Sequence, residues 1–129
     1  MNIEEIIAQI PYARRMGITA ALEDGAVVTR MRFRPGLIGN HRIAAIHGGM
    51  VGAFLEMAAI AELIYRMGGD GIPKPINFNV NYLRSARAKD STASGEVVKL
   101  GRRIALVRVG GWQEDPKKLF ASGYGSFLV

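Results

Sequence analysis

The chain has 129 residues, nearly half of them apolar, so we expect one folded domain over residues 1–129 and no extensive disorder. It contains no cysteine, which excludes disulfides, thiolate metal sites and a cysteine nucleophile and suits the reducing cytoplasm. The net charge of +6 predicts an anionic partner or substrate, but the basic residues are scattered and fit no nucleic-acid-binding pattern.

The first predicted elements are a helix, a short turn and a strand. Isoleucines recur at helical spacing over residues 2–10, with Asn2 as the N-cap and Pro11 as the stop. A second short helical turn is expected over residues 12–16, before a glycine. From Val27 to Arg34 the side chains alternate between two sets, which predicts a half-exposed strand that ends at a Pro-Gly pair.

A long apolar helix is predicted to follow a loop over residues 37–46. It runs from Gly49 to Met67 and is closed by Gly68-Gly69. Its apolar residues cover every face, which is typical of a membrane span or of a helix at the centre of a core. Glu56 and Glu62 interrupt the run and leave it shorter than a span requires, so we expect no membrane association. A sheet is therefore predicted to enclose this helix.

Four further strands are predicted, separated by short connections rich in turn residues. They cover Ile76–Leu83, Ser91–Leu100, Ile104–Trp112 and Phe120–Leu128. Consecutive strands of this kind are expected to form an antiparallel meander curved round the long helix. The order of elements favours a single α+β domain.

Residues with chemical potential are concentrated at the start of the long helix. Gly48 and Gly49 stand where the loop becomes the helix, and unpaired N–H groups at a helix N-terminus are the donors that an oxyanion hole requires. His47 precedes them and can orient a group or donate a hydrogen bond. Glu56, nine residues after the histidine, lies in apolar surroundings, where burial would raise its pKa and make it a better base or nucleophile.

Other interpretations of these residues stay open at this stage. A His-Gly-Gly run also occurs in ordinary turns, and Glu56 can form a salt bridge with Arg66 or Arg42 or point outward. Glu62 is expected to be solvated or paired, and His41 to be a loop residue. Two histidines and scattered carboxylates lack the spacing of metal ligands, so we expect no metal site.

The segment LIGNHRIAAIHGGMVGAFLEMAA resembles the His-Gly-Gly motif of hotdog-fold acyl-CoA thioesterases of the PaaI-like, phenylacetic acid degradation type. In that family the motif opens a long central helix wrapped by a curved antiparallel sheet, and an Asp or Glu stands where Glu56 stands here. The later segments INFNVNYLRSARA and GEVVKLGRRIALVRVGGW resemble the strands that follow in the family. The resemblance extends over nearly the whole chain from Val27 onward and implies the hotdog fold.

The resemblance also implies a role for each residue of the motif. Glu56 would be the nucleophile or general base at a thioester carbonyl, and the Gly48 N–H would polarise that carbonyl. His47 would support the loop and the thioester end of the substrate. An Asn or Gln commonly stands six residues before the histidine; here that place is His41, with Asn40 one residue earlier, so both are candidates.

Coenzyme A carries phosphates, so its binding surface should be basic. Tyr82 and Arg84, in the tyrosine-leucine-arginine run, are predicted to bind the coenzyme together with Arg87, Arg102 and Arg103. The alternative is that these surface arginines only keep the protein soluble. In the family the sheets of two subunits join and the site lies between them, which implies a homodimer or a homotetramer formed as a dimer of dimers.

We therefore predict a thioester hydrolase that acts on an acyl-CoA or aryl-CoA without a cofactor and has no nucleic-acid partner. Two alternatives are a non-catalytic acyl-CoA-binding protein and a hydratase or dehydratase of the same fold. No motif in the chain encodes the length or chemistry of the acyl group.

Overall fold

Two short helices open the computed structural model, which describes residues 1–129. Helix α1 spans Ile3–Ala8 and helix α2 spans Pro11–Met16. Asn2 caps α1 as predicted, since its Oδ1 accepts two backbone N–H groups of the first turn at 3.0 and 3.3 Å. Pro11 begins α2 at a position where its missing N–H costs no hydrogen bond. Gly17, with a φ of 71°, ends α2 in the left-handed conformation.

The next element is a strand that the sequence patterns did not predict. Strand β1 (Ile18–Glu23) forms an antiparallel hairpin with β2 (Ala26–Met31). The two residues that join them, Asp24 and Gly25, have positive φ values of 52° and 80°, as tight hairpin turns require. Strand β2 ends three residues earlier than predicted because the chain then leaves the sheet for a 3-10 turn over Pro35–Leu37.

The predicted loop before the long helix contains a small hairpin. Strands β3 (Ile38–Asn40) and β4 (Ala45–Ile46) form a separate two-stranded sheet. Helix α3 (Gly48–Arg66) follows directly and confirms the predicted long helix. Gly68 and Gly69 adopt positive φ values of 73° and 82°, as the turn that ends the helix requires.

The last four strands are β5 (Lys74–Tyr82), β6 (Ser91–Leu100), β7 (Ile104–Trp112) and β8 (Ala121–Leu128). The main sheet has six antiparallel strands in the order β1-β2-β6-β7-β8-β5. Strands β6, β7 and β8 form a meander, but the prediction that all four strands do so is wrong. Strand β5 lies at the edge beside β8, and β2 occupies the place beside β6.

The position of β5 follows from its connection and its packing. Residues 83–90 do not form a tight turn; they run across the end of the sheet, where Ala86 accepts the Ile46 N–H of β4 at 2.8 Å. On β8, Gly123 leaves room for the Phe78 ring of β5, since a Cβ at the glycine would lie 2.5 Å from that ring. These contacts keep β5 at the edge of the sheet with one side of its backbone unpaired.

The sheet curves round α3, as the apolar surface of the helix predicts. The buried residues of the helix are Val51, Phe54, Leu55, Met57, Ala58, Ala59, Ile60, Ala61, Leu63 and Ile64. By length and composition α3 would also qualify as a membrane span, but 56% of that stretch is buried inside the fold of its own chain. The predicted α+β architecture, a hotdog fold with a central helix in a curved antiparallel sheet, is confirmed.

Candidate active site

His47 joins β4 to α3 and is held on several sides. Its backbone N–H donates to Leu37 O at 2.7 Å, and its imidazole Nδ1 accepts the Gly49 N–H at 2.9 Å, so it is the N-cap of α3. Gly39 of β3 lies against it, because a Cβ at Gly39 would be 2.9 Å from both the Cα and the Cβ of His47. The glycine thus lets the β3–β4 hairpin pack closely on the start of the helix.

The first N–H of α3 is free. The N–H of Gly48 has no acceptor within the chain, whereas the N–H of Gly49 is bonded to His47 Nδ1. Those of Met50 and Val51 both donate to His47 O, at 2.9 and 3.1 Å. The free N–H lies at the positive end of a 19-residue helix and on an exposed residue. It can donate to an oxygen on which negative charge develops.

Tyr82 and Asn40 approach the helix start from different strands. The Tyr82 hydroxyl, at the end of β5, donates to Gly48 O at 2.9 Å. Asn40, at the end of β3, uses its Oδ1 to accept the Arg42 N–H at 3.1 Å, and His41 is exposed in the turn between them. Tyr82 therefore contacts the first turn of α3, while the side-chain oxygen of Asn40 is engaged within its own turn.

A cleft of about 320 Å³, lined mostly by apolar residues and called the apolar cleft below, opens beside Gly48. Its lining residues are Ala45, Ile46, Gly48, Val51, Tyr82, Leu83, Arg84, Ser85 and Ala86. A second, polar cleft of about 360 Å³ shares Arg84 and Ser85 with the first. The two clefts therefore adjoin and lead from the free N–H group to a charged surface.

The polar cleft is lined by basic side chains, some of which the sequence analysis predicted as coenzyme ligands. Arg84, Arg87, Lys89 and Lys118 line it together with the carboxylates of Glu114 and Asp115, and Lys89 is paired with Glu114. The Arg87 guanidinium donates to Ile43 O at 2.9 Å, and its backbone exchanges two hydrogen bonds of 2.9 Å with the Gln113 side chain. The side chains of Arg84 and Lys118 are exposed and form no ion pair, so they are available to an anionic ligand.

Arg102 and Arg103 lie elsewhere, in the turn between β6 and β7. The ten residues of β6 separate this turn from Arg87 by roughly 30 Å, at about 3.3 Å per residue. Within one chain Arg102 cannot contact a phosphate bound between Arg84 and Arg87, so its predicted role requires a second subunit. Lys118 lies in the cleft instead, and its only sequence signal is a Lys-Lys pair in the turn before β8.

Glu56 is a half-buried carboxylate without a partner. Burial raises its pKa above the ordinary value of 4.5. Neither Arg66 nor Arg42 forms an ion pair with it, so that alternative does not hold in this structure. Arg66 instead lies near Glu62, where its charge opposes the rise in pKa that burial causes. An unpaired carboxylate in apolar surroundings is costly, which favours a functional role for Glu56.

Glu56 and Gly48 are too far apart to act on one carbonyl within a single chain. Eight helical steps of 1.5 Å separate their Cα atoms by about 12 Å along the axis. Glu56 is also not among the residues that line the cleft beside Gly48. With Gly49, Gly52 and Ala53 it forms a stripe at three- and four-residue spacing that the chain's own sheet leaves incompletely covered.

Comparison with known proteins relates this chain to one family. Residues 44–120, more than half of the chain, match the family model described as "Thioesterase superfamily". The chain is 24% identical over 147 aligned positions to the medium/long-chain acyl-CoA thioesterase YigI of Salmonella typhimurium, and the alignment covers 98% of this chain and 90% of that protein.

Two solved structures share the fold. The X-ray structure of a protein from the thioesterase superfamily superposes with a TM-score of 0.89 at 26% identity, covering 98% of this chain and 95% of that one. A protein of Bacillus halodurans, solved with CoA, superposes with a TM-score of 0.80 at 22% identity, covering 92% and 77%. At that identity the second likeness concerns the fold alone.

The isolated carboxylate of Glu56 is expected to lower stability at neutral pH. Because its pKa is raised in the folded state, the cost is absent below about pH 4.5, grows as the pH rises through the folded-state pKa, and is constant above it. Glu56→Gln, which does not ionise, should therefore increase the free energy of unfolding at pH 7 but not at pH 4. Chemical denaturation at the two pH values measures this difference.

Glu62→Gln provides the matched comparison. Burial raises the pKa of Glu62 as well, while the nearby Arg66 opposes the rise, so Glu62→Gln should also gain stability at pH 7 but not at pH 4. A loss of stability at pH 7 in Glu56→Gln, or an equal change at both pH values, would contradict the expected cost.

Proposed function

The chain belongs to the thioesterase superfamily and is a thioester hydrolase, and on this premise we propose that it hydrolyses an acyl-CoA at a site shared by two subunits. The observation that carries the proposal is a free Gly48 N–H and an unpaired Glu56 carboxylate about 12 Å apart on one helix. A reacting carbonyl needs a donor within roughly 3 Å of its oxygen, and its carbon must be reached either by the nucleophile itself or by a water that is hydrogen-bonded to the base. One chain cannot supply both groups to the same carbonyl, whereas two chains can.

Two-fold symmetry would bring the two groups together. In an antiparallel pair of α3 helices with the axis near Gly52, Gly48 of one helix lies opposite Glu56 of the other. Ala53, beside Gly52, is small and incompletely covered, so a second helix can approach there. The free edge of β5 supports the same pairing, because it exposes apolar side chains such as Ile76, which is 53% exposed. A tetramer would then be two such dimers.

In this site the thioester oxygen accepts the Gly48 N–H, and the carbonyl carbon faces Glu56 of the other subunit. The carboxylate acts either as a base that takes a proton from the attacking water or as a nucleophile that forms an anhydride, which water then cleaves. By either route the C–S bond breaks, the acyl group leaves as a carboxylic acid, and the CoA thiolate takes up a proton. The raised pKa of Glu56 makes its carboxylate a stronger base than an exposed glutamate.

The adjoining clefts provide a path for the coenzyme. The apolar cleft beside Gly48, with Tyr82 in its wall, suits the uncharged arm that carries the thioester. The polar cleft, with Arg84, Arg87 and Lys118, suits the phosphates through charge-assisted hydrogen bonds. The net charge of +6 also suits a substrate that carries phosphates.

The proposed chain length of the acyl group rests on similarity to other proteins. The Salmonella relative is a medium/long-chain acyl-CoA thioesterase, and we propose that range ahead of the aryl-CoA substrates that the PaaI-like resemblance suggests. The absence of cysteine suits the cytoplasm, where we place the enzyme.

Thiol release across a panel of acyl-CoA and aryl-CoA thioesters distinguishes the two classes of substrate. A non-catalytic binding protein would release no thiol, and a hydratase would add water to an enoyl-CoA with the thioester intact.

Replacing the carboxylate tests its role directly. Glu56→Gln should lower kcat by about 10²- to 10⁴-fold with little change in KM, because the base or nucleophile is lost while the binding clefts remain. Glu62→Gln is the matched control, on the same helix and with a pKa also raised by burial, and should stay within about two-fold of wild type. Wild-type rates in Glu56→Gln, or equal losses in both variants, would refute the proposed mechanism.

The oxyanion donor can be deleted without disturbing the helix. Gly48 is the first residue of α3, where proline is tolerated, and the ψ of 133° at His47 is compatible with a following proline. Gly48→Pro removes the N–H and should lower kcat by about 10²- to 10³-fold. Gly48→Ala keeps the N–H, its Cβ would contact the Tyr82 ring at an ordinary 3.6 Å, and it should remain active.

Mixing the inactive variants tests whether the site is shared. In a mixed dimer one site has Gly48 from the Glu56→Gln chain and Glu56 from the Gly48→Pro chain, while the other site has neither. A random equimolar mixture should therefore recover about a quarter of the wild-type activity. If native mass spectrometry shows mixed dimers but no activity returns, the two groups do not act across subunits.

The phosphate-binding role is tested with two substrates. Arg84→Ala and Lys118→Ala should each raise KM for an acyl-CoA about five- to ten-fold, with kcat little changed. The same variants should hydrolyse an acyl-pantetheine, which lacks the nucleotide phosphates, at wild-type KM. Arg14→Ala, at an exposed arginine of α2, is the control for lost charge. Equal effects on both substrates would place the phosphates elsewhere.

A further inference from the structure

We propose that Tyr82 favours the tautomer of His47 that carries its proton on Nε2, acting through the peptide group between Gly48 and Gly49. Tyr82 would then be a positioning residue of the site. The consequence for catalysis rests on the proposed function, but the chain of hydrogen bonds can be measured whatever the substrate.

Two hydrogen bonds share one peptide group. The Tyr82 hydroxyl donates to Gly48 O at 2.9 Å, and the Gly49 N–H of the same peptide group donates to His47 Nδ1 at 2.9 Å. A donor on the carbonyl oxygen draws electron density from the peptide nitrogen and makes its N–H a stronger donor. The tyrosine therefore strengthens the bond to the histidine through the hydrogen-bond chain.

The second bond selects the tautomer of His47. A neutral imidazole has one donor nitrogen and one acceptor nitrogen. Because Nδ1 accepts the Gly49 N–H, the ring proton is on Nε2, which makes no hydrogen bond within the chain. His47 is exposed, so no buried partner selects the tautomer, and the bond from Gly49 is the one hydrogen bond that its imidazole makes.

Two glycines hold the ring in place. A Cβ at Gly39 would lie 3.0 Å from His47 Cδ2, and a Cβ at Gly49 would lie 3.1 Å from His47 Nδ1 and Cε1. The ring therefore fits closely between the two backbones. With its position fixed by packing, the remaining variable is the location of the proton.

Tyr82 is suited to this role rather than to core packing. Its side chain is 59% exposed at the end of an edge strand. Its ring lies 3.6 Å from where a Gly48 Cβ would be, and its hydroxyl lies 3.5 Å from where a Gly52 Cβ would be. The two glycines, one helical turn apart, leave the surface open so that the phenol can reach the backbone carbonyl.

The selected tautomer gives the site two donors. In this tautomer the Gly48 N–H and the His47 Nε2–H are both unpaired donors, and the proposal places an oxygen that gains negative charge between them. With the proton on Nδ1, His47 would instead present a lone pair at Nε2 and repel that oxygen. By favouring the Nε2–H tautomer, Tyr82 ensures that both groups at the oxyanion end of the site are hydrogen-bond donors.

Tyr82→Phe keeps the ring and removes only the hydroxyl. We expect kcat for an acyl-CoA to fall about three- to ten-fold with KM unchanged, because a smaller share of His47 then presents its Nε2–H to the oxygen that gains charge in the transition state. Tyr12→Phe is the matched control, because Tyr12 is exposed and its hydroxyl makes no hydrogen bond within the chain. Its kinetics should equal those of wild type.

The direct readout is the ¹⁵N NMR spectrum of the imidazoles. The chain has two histidines, and the exposed His41 is an internal reference. In wild type His47 should be the Nε2–H tautomer, and in Tyr82→Phe the share of the Nδ1–H tautomer should rise while His41 is unchanged. A purely structural role of Tyr82 would not move this ratio.

The outcomes separate the two proposals. Nδ1–H as the main form of His47 in wild type, or an unchanged tautomer ratio in Tyr82→Phe, overturns the role of Tyr82 even if kcat falls. Full activity in Glu56→Gln refutes the proposed mechanism but leaves the tautomer result valid. A shifted ratio together with an inactive Glu56→Gln supports both.

Discussion

A helix that is apolar on nearly every face has to be covered, and most of this structure is the cover for α3. Each square ångström of apolar surface removed from water contributes roughly 25 cal/mol, so exposing such a helix would be prohibitive. Strands β2, β6, β7 and β8 supply much of that cover, and residues such as Phe54 and Leu63 are completely buried. Apart from Glu62, which lies near Arg66, the unpaired polar groups of the helix lie where the cover ends, at its first turn and along the stripe that contains Glu56.

Those two uncovered places are also where the chemistry is found. The first turn has a backbone donor that no other element satisfies, and the stripe carries a carboxylate whose pKa is raised by partial burial. Both are costs within one chain, since each leaves a polar group without a partner. In the proposed assembly a second subunit and the substrate supply those partners. The polar groups that are unpaired in the isolated chain are then the groups that carry out catalysis.

Much of the fold and of the candidate site was predictable, because the sequence patterns that indicate them are local or belong to the family motif. The apolar run of α3, the alternation in β6 and β7 and the spacing of His47 to Glu56 are all read along the chain. Strand β1 was missed because its alanines give little alternation, although the Asp-Gly turn after it was a usable signal. The place of β5 depends on packing against β8, which no local pattern reveals. Likewise, the approach of Lys118 to Arg84 and the distance of Arg102 depend on strand order and register.

The edge position of β5 also bears on how the protein comes to be folded during synthesis. Strand β5 pairs with β8 alone, so Lys74 must wait for Leu128 and Tyr82 for Ala121 before either has its partner. Contacts so distant in sequence form slowly, and an unpaired strand on the ribosome is prone to wrong associations. The helix start emerges early, but the tyrosine that contacts it is anchored only when Ala121, the first residue of β8, has been made. The site is therefore completed only after all of its own residues have been synthesised, when the strand that holds Tyr82 in place has been made.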